Sequence, residues 1–301
     1  RANSLSTGPD FSFRLNPTNT PVMGARYGRF DIEGPGDSKR ITAYARWLYQ
    51  ATARGTLSLN YEVLRAELEP PAAFTHAVRE DLFVRYFTPP GLDATTLDLG
   101  ATRIRPTGGD EIRGHLARLS SARQLTPESL VRVLLADEIS DTYTDLLRGL
   151  AAGMLPLQGV VATPGFIYRS QRGDLSYSNQ GSRFGYTLLG YWRRIDYEVL
   201  DQDYQEKSGR VELNWVFSGD TRFHANADYL RRTFLSFERT DVERSSRAGV
   251  TYRLTRDLSL VAEGQRMETE STLPGANYVD RRAMLLVAYS TGTSYAPRSR
   301  R

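Results

Sequence analysis

The 301-residue sequence contains no cysteine, only three histidines (His76, His115 and His224) and only two lysines, Lys39 and Lys207. Without cysteine there is no disulfide framework, no thiolate nucleophile and no sulfur-ligated metal. No two histidines stand in i, i+4 metal spacing, and no glycine-rich loop leads into a helix that could cradle a phosphate. A long hydrophobic run is missing as well. The least polar stretch, 149–162, is interrupted by Pro156 and Gln158 and falls short of the ~20 apolar residues that a spanning helix needs. Carboxylates are scattered, so no glycosidase pair can be argued. These absences leave catalytic residues, cofactor and metal all unassigned, and the sequence argues against an enzyme.

What is present is arginine and alternation. Lys+Arg total 39 against Asp+Glu 35, so all but two of the basic residues are arginine, while the net charge is only +4. No basic block stands out, which argues against a nucleic-acid partner. A hydrophobic share of 40% is too high for a disordered chain. In 209–217, Val211, Leu213, Trp215 and Phe217 share one parity, and Arg210, Glu212 and Asn214 the other. Successive side chains of a strand point to opposite faces, so this is an extended segment with one apolar and one polar side. The pattern returns in Phe223, Ala225, Ala227 and Tyr229 against Arg222, His224, Asn226 and Asp228, and Ser218-Gly219-Asp220 between them reads as a tight turn.

The same grammar predicts strands at 9–16, 21–33, 40–52, 56–68, 76–87, 94–105, 112–124, 128–140, 164–178, 183–197, 204–217, 221–234, 243–254, 258–270 and 279–290. Most exceed the globular norm of about 5–6 residues and suit a tilted membrane-spanning strand of roughly 9–11. Connections alternate between short turns and longer loops, as on the two rims of an outer-membrane barrel. A spanning sheet has no water for its open edges and must close on itself. The expected fold is therefore all-β, a single antiparallel transmembrane β-barrel over residues 1–290, with 291–301 as a C-terminal tail. Fifteen strands are visible, and single-chain bacterial barrels have even counts. At least one strand is thus expected before residue 1, with residues 1–8 as the end of an outer loop, giving sixteen strands or eighteen.

Tyr49, Tyr61, Trp192, Trp215, Phe217, Tyr229, Tyr252 and Tyr289 lie on the apolar parity and would form interfacial girdles. Val211, Leu213, Trp215, Phe223, Ala225, Leu285, Val287 and Tyr289 would face lipid. The polar parity carries Arg46, Arg85, Arg132, Arg193, Arg210, Arg222, Arg253 and Arg282 with Tyr44, Tyr191, Glu212 and Asn214, the candidate lumen lining. Guanidinium forks suit anions and sugar hydroxyls. The same set could also neutralise itself as a salt-bridge lattice. The long connection 141–163, with Leu146, Leu147, Leu150, Met154 and Leu155, is expected to form a short amphipathic helix that folds over or into the outer mouth as a constriction.

Strand–turn–strand phrases such as Leu125-Thr126-Pro127-Glu128-Ser129 and Leu254-Thr255-Arg256-Asp257-Leu258, with the ending 278–290, resemble outer-membrane β-barrel proteins found with exopolysaccharide export and exosortase (PEP-CTERM) systems. The likeness is strongest from about Leu97 onward. The tail after Ser290 departs from a terminal aromatic strand residue, and leaves recognition by the assembly machinery resting on Tyr289. The resemblance implies a barrel in the bacterial outer membrane, in contact with its lipid, that passes a secreted polysaccharide together with periplasmic export components. The arginine excess would favour an acidic polymer. The alternatives are a structural or adhesive barrel without transport, and a barrel-type hydrolase.

Overall fold

The structure is a computed structural model that describes residues 2–32, 38–68, 76–89, 91, 93–141, 167–198 and 201–289. The described residues form sixteen strands and no helix: β1 (Ala2–Thr7), β2 (Asp10–Ser12), β3 (Asn19–Ile32), β4 (Ser38–Gln50), β5 (Thr56–Leu68), β6 (His76–Phe87), β7 (Asp93–Pro106), β8 (Ile112–Thr126), β9 (Ser129–Asp141), β10 (Ile167–Gln180), β11 (Phe184–Tyr197), β12 (Tyr204–Val216), β13 (Thr221–Phe234), β14 (Thr240–Arg253), β15 (Leu258–Ser271) and β16 (Tyr278–Tyr289). They follow one another in a single sheet in chain order, with both β1 and β2 on β3. Each register in the sheet is antiparallel where it is resolved, as in β3–β4, β5–β6 and β13–β14.

Short turns share one device that fixes these registers. A polar side chain at the start of the turn accepts backbone N–H groups two or three residues on. Asn16 Oδ1 takes Asn19 N at 2.9 Å, Thr52 Oγ1 takes Gly55 N at 2.8 Å, and Ser218 and Thr255 take Thr221 N and Leu258 N at 3.1 Å each. These are Asx and Ser/Thr turns, which give the backbone a ready-made reversal.

The N-terminal strand differs from the expected one. Residues 2–7 are not the end of a loop: β1 pairs with β3 from Ala2↔Ile32 to Thr7↔Tyr27, and β2 resumes the same register at Asp10↔Gly24. Pro9 has no N–H to give the ladder, so one strand is broken into two segments. The ladder contacts then run on past β2, with Phe13 N donating to Pro21 O at 3.0 Å. The expected helix within 141–163 and the tail 291–301 lie outside the described residues.

The chain separates into two compact units. Unit 1 comprises Arg1–Arg123, Val133–Gly173 and Arg193–Tyr204, and unit 2 comprises Gln124–Arg132, Asp174–Trp192 and Gln205–Arg301. In unit 1 the alternation is inverted relative to a water-soluble protein. Trp47, Leu59, Leu82, Val84 and Leu99 are exposed, while Arg40, Asn60, Arg79, Asp81 and Asp98 are buried. A small apolar cluster of Ile104, Ile139 and Ile167 is buried near the long-loop ends, with Ala77 and Ile112 against it. Unit 2 repeats the inversion. Leu213, Trp215, Phe223, Leu285, Val287 and Tyr289 are exposed, while Glu206 and Asp241 are buried. Trp215, Phe217 and Phe223 pack ring to ring, with centroids 5.3 to 6.0 Å apart.

Candidate functional site: the charged inner face

The face opposite the exposed apolar one carries the charges. On β4, Arg46 donates to Glu62 Oε1 at 2.8 Å and lies 4.2 Å over the Tyr44 ring. The Tyr44 hydroxyl donates to Asp10, which also pairs with Arg26. On β6, Arg85 forks onto Asp98 at 2.6 and 2.8 Å, the bidentate geometry that a planar guanidinium favours.

From Asp98 the pairing continues across strands. Arg118 on β8 lies 3.8 Å from Asp98 and donates through Nε to Glu138 on β9 at 2.9 Å. Glu138 also lies 3.7 Å from Arg79 on β6, which is bonded to Asp81, and Thr102 donates to Asp81 at 2.7 Å. Further along, Arg40 on β4 reaches Asp141 on β9 at 2.9 Å. Strands β4 and β9 are not neighbours in the sheet, so side chains alone span that part of the inner face. Arg79 is the tightest point. Its side chain is only 7% exposed, and its two terminal nitrogens make no hydrogen bond among the described residues. A buried guanidinium is held there by the two carboxylates around it.

Most of the twelve residues singled out from the sequence divide into two groups. Arg46, Tyr44, Arg85, Arg193, Arg210 and Arg282 are engaged with neighbours. Arg193 donates to the Tyr168 hydroxyl at 3.3 Å, Arg210 is bonded to Asp228 with Glu212 3.7 Å away, and Arg282 pairs with Asp280 at 2.6 Å. Tyr191 precedes Arg193 on β11 with the same parity, and Asn214 is exposed on β12. Arg132, Arg222 and Arg253 are different: they are exposed and, among the described residues, carry no ion pair. All three belong to unit 2 and stand beside short turns, Arg132 at the start of β9, Arg222 at the start of β13 and Arg253 at the end of β14.

Two pairs that the sequence could not bring together are formed by histidines. His115 Nε2 lies 2.8 Å from Asp137, which also binds Arg169, and His224 Nε2 lies 3.2 Å from Glu263. The Arg79–Glu138–Arg118 bridge was also missed as a unit. Parity puts each residue on its strand face, but the approach of β6 to β9 leaves no local signal.

An antiparallel sheet of long strands that exposes an apolar face with aromatics and buries charge on the other is inside-out for water and correct for lipid. The protein is of the outer-membrane β-barrel class, and its place is the bacterial outer membrane. The sequence family described as "Putative beta-barrel porin 2" matches residues 204–290. No curated protein matches the sequence. Among solved structures, the copper transporter OprC aligns with a TM-score of 0.56 at 11% identity, over 94% of this chain and 55% of that one. The FrpB iron transporter of Neisseria meningitidis aligns with a TM-score of 0.53 at 10% identity, over 95% and 55%. OmpT with loop L8 deleted, an outer membrane protein of Vibrio cholerae, aligns over 96% and 99% with a TM-score of 0.42 at 9% identity. The first two similarities are likenesses of fold.

Proposed function

We propose that this porin-like protein is a conduit through which an acidic polysaccharide leaves the periplasm, delivered by periplasmic export components. The observation that supports this reading is the division of the inner-face arginines. Within unit 2, Arg210 and Arg282 are ion-paired away from the short turns, whereas Arg132, Arg222 and Arg253, beside those turns, carry no ion pair among the described residues. Short turns mark the periplasmic side of such barrels. Unpaired guanidinium groups at that mouth would gather an anion, and the paired arginines beyond it offer only weak, exchangeable contacts, as conduction requires. The porin family match over 204–290 includes both Arg222 and Arg253. No step in this reading calls for a catalytic group.

The test is single-channel conductance in planar bilayers, with ion selectivity, for the native chain and for a variant combining Arg132→Glu, Arg222→Glu and Arg253→Glu. The conduit reading expects an anion-selective pore whose preference reverses in the variant, and loss of polymer secretion in cells carrying it. An unaltered selectivity would overturn it.

A second reading has its own support. Arg40–Asp141 and the Arg79–Glu138 approach span the inner face of unit 1 with side chains, which suits a structural barrel closed by its own charges. That reading expects no conductance from the native protein and secretion unaffected by its deletion.

A further inference from the structure

The exposed face of unit 1 changes from apolar to charged within one step of the alternation as it approaches the long loops. On β7 the change runs from Leu99 and Ala101 to Arg103 and Arg105, and on β8 from Ala117 to His115 and Arg113. The register places Arg103 directly opposite Arg113. Like charges directly across a ladder destabilise it, and here both point away from the charged inner face. The carboxylates nearby do not match them in number. Glu80 on β6 serves both Arg103, at 2.8 Å through Nε, and Arg105. Glu111 serves Arg113, which keeps the Glu111 carboxyl below its ordinary range. Three guanidinium groups thus share two carboxylates, and their side chains remain 41%, 48% and 75% exposed for Arg103, Arg105 and Arg113.

We infer that Arg103, Arg105 and Arg113 form a binding site for the phosphate of a glycolipid headgroup in the outer leaflet. Depth supplies the first reason. The group stands directly beyond the apolar band, on the rim with the longer loops, which is the outer side of such barrels and the level of the headgroups. Chemistry supplies the second. Guanidinium forks match phosphate oxygens bidentately, and an anion lying between Arg103 and Arg113 would convert a repulsive cross-strand pair into a shared clamp. The third is the donors left over: Glu80 takes Nε and Nη2 of Arg103 and Glu111 takes Nε of Arg113, so Nη1 of Arg103 and both terminal nitrogens of Arg113 make no hydrogen bond among the described residues. The interaction is with lipid and leaves the inner face uninvolved, so it is independent of what the barrel conducts.

The experiment uses the full chain refolded in detergent and mixed with phosphatidylcholine vesicles that contain lipid A, lipid A with its phosphates removed, or neither. Lipid retained after repurification is counted by mass spectrometry. Native protein should retain phosphorylated lipid A and not the dephosphorylated form. Combining Arg103→Gln with Arg113→Gln should weaken retention by about tenfold or more, the loss of charge-assisted hydrogen bonds. Arg256→Gln, in a short turn on the opposite rim, should leave it unchanged. Circular dichroism and the heat-dependent gel shift establish that each variant is folded. Should the double variant misfold, Arg103→Lys with Arg113→Lys keeps the charge and loses the fork, and should retain lipid A at an intermediate level. Equal retention of both lipid forms, or undiminished retention by the folded double variant, would overturn the site. Full competition by inorganic phosphate at equal concentration would overturn the lipid as its ligand.

Discussion

His224 and Glu263 sit on strands that are not neighbours, yet their side chains meet at 3.2 Å because the residue between them on β14 is Gly249. The imidazole occupies the space that a Cβ would fill, with Cε1 and Nε2 each 2.6 Å from that position and the Ala262 carbonyl 3.0 Å away. Gly249→Ala should therefore displace His224 and separate the pair. Overpacking of this kind costs about 1–3 kcal/mol. Urea unfolding in detergent micelles checks the loss, and an unchanged midpoint would mean that the histidine moves aside freely.

Gly100 stands opposite Phe83 in the β6–β7 ladder, and a Cβ there would run into the Leu82 carbonyl as well as the Phe83 side chain. Backbone cannot yield as a side-chain tip can. Gly100→Ala should lower the yield of folded protein, whereas Gly219→Ala, with open space around it, should not. The two heat-modifiability gels, run side by side, decide the matter.

The lipid-facing assignment makes a parity prediction. Leu213→Arg puts a charge on the apolar face, at a cost of about 2–4 kcal/mol near the bilayer midplane. Asn214→Arg, one residue on, adds a charge to the polar face. Assembly into liposomes should fail for the first and proceed for the second, and equal assembly would contradict the assignment.

Within unit 1, Glu138 compensates Arg118 and Arg79 together, and its side chain is 6% exposed. Glu138→Gln should be strongly destabilising, by about 3–5 kcal/mol, because it strands buried guanidinium charge. Adding Arg79→Met to that variant should recover part of the loss. A double-mutant cycle in urea measures the recovery, and strictly additive losses would show that the two residues do not interact.

Alternation made the strands and their faces legible from the sequence. Leu213 and Asn214 needed only their order in the chain to be assigned to opposite sides. The first strand escaped because Pro9 interrupts it and Gly8 precedes the break, so Ala2–Thr7 reads as loop by composition, and only the register with Tyr27 to Ile32 reveals the strand. For ion pairs on adjacent strands, such as Arg46 and Glu62, parity put both partners on one face but did not name the pair, because the contact is diagonal and depends on register. Partners were hidden outright when curvature brought distant strands together, because no local pattern encodes that approach. The inverted count of charges at Arg103, Arg105 and Arg113 was hidden differently. Parity puts those arginines among lipid-facing residues, where apolar side chains dominate the pattern.

The contact between Arg40 and Asp141 joins residues 101 positions apart in the chain. The ladders that surround it join consecutive strands and ask only for the closing of a hairpin, a fast event. This ion pair has to wait for five further strands to be laid down. Biogenesis of unit 1 therefore has two clocks. The hairpins can add in order as the chain arrives, while the charge lattice on the inner face is complete only after β9 takes its place. A chain stalled before that strand would hold its backbone hydrogen bonds but not its electrostatic balance, and would be the form most exposed to envelope proteases.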